Sequence, residues 1–213
     1  MTEILKDINP TIQLLMILAF LALLPFIFAC MTSFLRYVIV FAILRTSIGT
    51  AQVPPVLVII GFSLVLTLYT MMPVFSQMHE AAQEPLKKDN AYVEVITESS
   101  KPLKEFMLKQ IRHEDILFFL EMTKKEAPEN VSDLSMTEVI PAFILSEIRT
   151  GLTIGFLLFI PFCIIDLLVT NLLLSLGVFM LTPTVISLPF KLLIFIGVDG
   201  WTLLVTGIMK SFN

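Results

Sequence analysis

One apolar stretch constrains this chain more than any other. Residues 166–191, DLLVTNLLLSLGVFMLTPTVISLPFK, are hydrophobic enough for membrane depth, yet Gly177, Pro183 and Pro189 interrupt them. A proline inside a helix removes a backbone hydrogen bond and clashes with the preceding turn. In lipid, such a break survives only where protein or a water-filled cavity satisfies the freed groups. Ser175, Thr182, Thr184 and Ser187 are scattered among the breaks. The stretch is therefore expected inside an assembly or along a pore. The plainer alternative is a single membrane helix with two kinks, because Gly and Pro are common in such helices.

The rest of the chain reads as a membrane protein. Of its 213 residues 56% are hydrophobic and only 15% charged, with a mean hydropathy of +0.90; soluble domains carry about 25% charge. Apolar blocks cover residues 12–34, 53–75, 140–176 and 192–209. The second matches the roughly 20 residues needed to span a bilayer. Composition shifts sharply over residues 76–138, which hold 13 of the 18 acids and 8 of the 14 bases. There, Ser100-Lys101-Pro102 reads as a helix start, and Leu103, Phe106, Met107 and Ile111 follow at helical spacing. A second patch, 116–120, and a loop at 127–130 complete a helical insertion that docks on something. The expected fold is an all-α membrane protein of helical hairpins, with about four hydrophobic segments. It divides into an N-terminal hairpin (1–75), the polar insertion (76–138) and a C-terminal hairpin (139–213) with a pore-lining loop.

Several function classes are disfavoured. A net charge of −4 gives no nucleic-acid footprint. There is no Gly-rich phosphate loop, GxSxG or HExxH, so no enzyme and no cofactor are expected. Cys30 and Cys163 lie in apolar runs and read as buried free thiols. The two histidines, His79 and His113, are far apart, and His113-Glu114-Asp115 reads as a solvated helix face rather than a metal site.

The charges in or beside the apolar blocks carry more information. Glu147, Arg149, Asp166, Lys191 and Asp199 would each cost about 2.5–3.5 kcal/mol facing lipid. They must pair, face water or snorkel to the interface. Gly151 and Gly155 form a GxxxG pattern that lets helix backbones approach closely. Arg36 and Arg45 are the only charges between the first two blocks. They place that turn in the cytoplasm, and the acidic insertion on the periplasmic side, by the positive-inside rule. The leader around Glu3, Lys6 and Asp7 is nearly neutral, and a retained membrane segment is expected rather than a cleaved signal peptide.

Longer motifs suggest a family. MTSFLRYVIVFAILRTSIGTAQVPP (31–55), PLKEFMLKQ (102–110), PAFILSEIRTGLTIGFLLFIPFCIIDLLV (141–169) and ISLPFKLLIFIGVDGW (186–201) resemble the FliP/SctR family of bacterial type III export gates. The resemblance implies a homo-oligomeric ring, five subunits in number, in the inner membrane. FliQ/SctS-like and FliR/SctT-like subunits would join it, and unfolded secretion substrates would pass through its centre. It also implies an apolar gasket in the loop after Asp166, where the family carries a run like MGMMML and this chain reads LGVFML. Val178, Phe179 and Met180 would form that gasket. Arg112, Glu147 and Lys191 match positions expected to bridge adjacent subunits. Because the chain begins almost at its first apolar block, it looks more like the injectisome (virulence) branch than the flagellar one. Outside the resemblance, two other readings stay open. A small secondary transporter would use the broken helices as midplane sites, and a membrane scaffold would have no pore at all.

Overall fold

The computed structural model describes residues 9–50, 53–87, 92–123 and 130–212. Among them are helices and no strand. Helix α1 spans Pro10–Met31, and after a break at Thr32 and Ser33 the chain continues as α2, Phe34–Ile48. Helix α3 is Val56–Gln83. A short 3-10 turn, Pro85–Lys87, then precedes α4 (Tyr92–Gln110) and α5 (His113–Met122). Helix α6 is Met136–Ser175, followed by α7 (Pro183–Gly197) and α8 (Gly200–Lys210).

Helices α1, α3 and α6 are long and apolar enough to cross a membrane, and α7 with α8, bent by 65°, would make a fourth span. The fold is that of an all-α membrane protein. Its break points differ from the sequence blocks for local reasons. The fourth block is not one straight helix, because Asp199 takes a left-handed backbone (φ 50°) between α7 and α8. Both insertion boundaries fall inside helices: α3 runs on past residue 75, and α6 begins before residue 139. Composition changes there while the helices themselves run on.

Helix α6 organises the rest. It starts at a capping box, in which the Glu138 carboxylate accepts the Ser135 N–H at 2.8 Å. Its 40 residues make it about 60 Å long at 1.5 Å per residue, twice a hydrocarbon core of about 30 Å. Helix α2 packs most extensively against it, and the glycine pair sets their separation. A Cβ on Gly151 would lie 3.1 Å from Ile39 Cβ, and one on Gly155 would collide with Ile43. The GxxxG face is thus filled by a neighbouring helix of the same chain.

Two apolar clusters result. One joins α2, α3, α6, α7 and α8 through Tyr37, Phe41, Leu66, Phe162, Phe195 and Leu204. The other lies between the insertion and α6: Met107 on α4, with Ile116 and Leu120 on α5, pack against Val139, Ala142 and Phe143. The insertion therefore docks on its own chain. Its first helix does not begin at Ser100, because α4 starts at Tyr92 and carries Pro102 in its interior. Extensive packing of α4 along α3 outweighs the one backbone bond the proline forfeits. The cysteines are half-buried rather than buried. The expected loop at 127–130 lies outside the described residues save for Asn130, and so does the leader containing Glu3, Lys6 and Asp7.

Candidate functional site

Between α6 and α7 the expected break is a helical hairpin, which rules out the plainer alternative of one kinked helix. Helix α6 stops in a Schellman arrangement. Gly177 turns left-handed at φ 74°, the Val178 N–H donates to the Leu173 carbonyl at 3.0 Å, and the Gly177 N–H donates to that of Leu174 at 3.1 Å. Helix α7 restarts with Pro183 in its first turn, where the missing N–H costs nothing. Both devices are local, so the break follows directly from the glycine and the proline.

The loop between them, 176–182, presents apolar side chains to the outside. Met180 is 99% exposed and Phe179 76%, with Leu176 and Leu181 also exposed and Val178 half-buried. Beneath it, a polar cluster ties the hairpin together. Lys191 Nζ donates to Asp166 Oδ2 at 2.6 Å and to the Ser47 carbonyl at 3.0 Å, and Ser187 Oγ donates to Asp166 Oδ1 at 2.5 Å. Three helices, α2, α6 and α7, meet on this lysine.

A second cluster sits near the other end of α6. Arg36 and Glu147 form a buried forked ion pair, with Arg36 Nε donating to Oε2 at 3.0 Å and Nη2 to Oε1. One residue back on α6, Ser146 Oγ donates to Asp115 Oδ2 at 2.5 Å and accepts the Arg112 N–H at 3.0 Å. Arg149 Nε lies 3.2 Å from Asp115 Oδ1, close enough for an ion pair but not aimed as a hydrogen bond.

Within the chain, then, Arg112, Glu147 and Lys191 do not meet one another. Glu147 and Lys191 hold buried partners of their own, Arg36 and Asp166. The exposed Arg112 guanidinium donates to Thr150 Oγ1 at 3.3 Å. Asp199 is exposed at the α7–α8 bend, away from both clusters. No group of three His, Cys, Asp or Glu side chains suited to a metal ion occurs among the described residues.

Comparison with known proteins gives these features a family. The model of the FliP family matches residues 17–208. The chain belongs to the FliP family. A FliP-family relative from Bacillus subtilis, named flagellar biosynthetic protein FliP, is 42% identical over 97% of this chain and 94% of its own length. The protein of the same name from Borreliella burgdorferi is 40% identical, over 97% of this chain and 83% of its own. That from Buchnera aphidicola of Acyrthosiphon pisum is 43% identical across the whole chain, which spans 57% of that longer relative. These relatives carry the flagellar name, so they give no support to the injectisome branch favoured from the sequence.

The FliP-family fold corrects two further expectations. Arg36 is not a turn cation marking the cytoplasm: it lies inside α2 and is 1% exposed. Of the two arginines behind that orientation, Arg45 alone remains, in the last turn of α2. Asp115 likewise is not on a solvated face but buried against Ser146. Arg36, Asp115 and Ser187 take part in the two clusters without having stood out as site residues in the sequence. A signal existed for Arg36, because a lone cation flanked by FL and YVIVF at helical spacing needs a buried counter-charge. None existed for Ser187.

Proposed function

We propose that this chain is a non-enzymatic subunit of the flagellar type III export gate, a conduit in the bacterial inner membrane for unfolded protein substrates. The observation that carries this reading is the loop 176–182. Apolar side chains as exposed as Phe179 and Met180, at the free end of a rigid hairpin, suit a ring of copies closing a pore. Apolar bulk at a constriction excludes water and ions, and the flexible methionine side chain suits a deformable seal. In this reading the gate is a homo-oligomer, five copies joined by FliQ- and FliR-like subunits, with the insertion on the periplasmic side. Arg112, whose guanidinium is exposed, is the cation that reaches a neighbouring subunit. Glu147 and Lys191, matched to the same ring by the resemblance, act on it only indirectly, by fixing α6 and α7 through Arg36 and Asp166 within the chain.

The test is conductance. The complex, purified with its neighbouring subunits and placed in a planar bilayer, should be closed to small ions. Replacing Val178, Phe179 and Met180 together by glycine should leave assembly intact and open a measurable ionic leak. An unchanged conductance in a fully assembled triple variant would reject the gate assignment.

A further inference from the structure

The buried guanidinium of Arg36 does more than pair with Glu147. Arginine has five N–H donors, and the structure accounts for all of them. Two go to Glu147, from Nε and Nη2. The second Nη2 donor goes to Gln110 Oε1 at 3.0 Å, at the end of α4. Both Nη1 donors go to Ser211, to its carbonyl at 2.9 Å and its hydroxyl at 2.8 Å. The next residue closes the ring of contacts. Phe212 lays its ring under the guanidinium, 3.7 Å from Cζ to centroid, an attractive cation–π geometry. That ring stacks on Phe106 of α4 and tilts against Tyr37 of α2. Its carbonyl accepts from Gln110 Nε2 at 3.1 Å.

Residues 211 and 212 therefore sit as a wedge between the polar insertion and the apolar body. Their bonds differ in kind from the Arg36–Glu147 pair. The pair joins two charges and is wholly buried, whereas the bonds to Ser211 and Phe212 run to neutral groups and are part-buried. Phe212 also borders a cavity of about 200 Å³, which Thr70, Pro73, Gln77, Phe106 and Gln110 line. Open space therefore flanks the ring on the side facing α3 and α4.

We infer that Ser211 and Phe212 form an intramolecular latch, which sets the seating of the insertion on α2 and α6 and can release it while the Arg36–Glu147 pair stays closed. The coupling runs through Gln110 and Phe106 on one side and Arg36 on the other. Release would free the last turns of α4 first. The rest of the insertion would stay held at α6 by Asp115 and Ser146.

Hydrogen exchange on the intact chain in its assembled complex tests this, with mass-spectrometric readout by segment. Phe212→Ala should speed exchange in residues 103–111 by about tenfold or more, the mark of local rather than global opening. Residues 152–175 should be unchanged. Phe212→Tyr, which keeps the ring, should restore protection. A second variant reads the polar half of the latch: Gln110→Leu should loosen the same segment with Phe212 intact. Three results would each overturn the latch. They are exchange within twofold of wild type in both variants, faster exchange spread evenly through α2 and α6, or failure of Phe212→Ala to fold.

Discussion

The two ends of α6 face opposite problems and solve them differently. Near its start the helix is crowded. Val139, Phe143, Ser146, Glu147 and Gly151 are buried, and charged partners reach it from α2 and α5. Beyond Gly155 Phe162 and Leu173 stay buried, but one face is bare, with Phe156, Leu157, Ile164, Leu167 and Leu168 all exposed. A bare apolar face on that scale is not a stable surface in water; it needs lipid or neighbouring helices. The first half of α6 is specified from within the chain, and the second half is finished by its surroundings. The polar clusters follow the same division. Glu147 is fully buried, whereas the Asp166 side chain beside Lys191 keeps 30% of its exposure.

Substitutions can break that contrast, and the largest effect is expected where burial is complete. Arg36→Met strands the Glu147 carboxylate, and breaking a buried pair this way costs about 3–5 kcal/mol. It should abolish folded yield after gentle detergent extraction. Adding Glu147→Leu should recover part of the yield, since an apolar pair of similar volume often replaces a buried ion pair at little cost. Recovery should stay incomplete, because Ser211 and Gln110 lose their donors as well. Full recovery would mean that Arg36 serves Glu147 alone.

Next in size is the helix crossing. Gly155→Leu forces a side chain into Ile43 and should lower stability by about 1–3 kcal/mol, as overpacking does. Gly61, where an added Cβ would meet nothing within 4 Å, is the control: Gly61→Ala should raise helix stability by about 0.5–1 kcal/mol. Thermal unfolding in one detergent ranks the two. Equal effects would say that α2 and α6 can slide apart.

At the far end, Lys191→Met removes a donor from Asp166, which still has the Ser187 hydroxyl and is only partly buried. The expected loss is about 1.5 kcal/mol, at the lower end of the range for a hydrogen bond to a charged group, and smaller than at Glu147. A loss as large as that of Arg36→Met would erase the distinction between the two clusters. Smallest per site, the triple glycine replacement at Val178, Phe179 and Met180 should move stability by no more than about 0.5 kcal/mol at each exposed position. Its consequence should appear in conductance alone.

Much of the fold was legible along the chain, because its causes are local. Twenty-residue apolar runs, Gly177 after a helix and Pro183 before one act through backbone sterics and solvation that need no distant partner. The helical periodicity of Leu103, Phe106, Met107 and Ile111 was likewise readable, and these residues do face the second cluster. Pro102 misled because its local preference was outweighed by packing along α3. Arg36 misled because a positive charge in a short polar gap and one in a buried helix look alike until the helix is placed.

The sequence by itself determined a membrane protein of long apolar helices, an interruption at Gly177 and Pro183 and the apolar character of the loop between them, whereas Pro189, read as a third interruption, lies inside α7. Only the tertiary structure decided which charges pair. Arg36 finds Glu147 across 111 positions, Lys191 finds Asp166 across 25, and Asp115 finds Ser146 across 31. A run of residues reports its own solvation and backbone preferences, but the partner of a buried charge is whichever group the packed helices bring within about 3 Å; for Arg36 and Glu147 those helices are α2 and α6, which cross at Gly151 and Gly155.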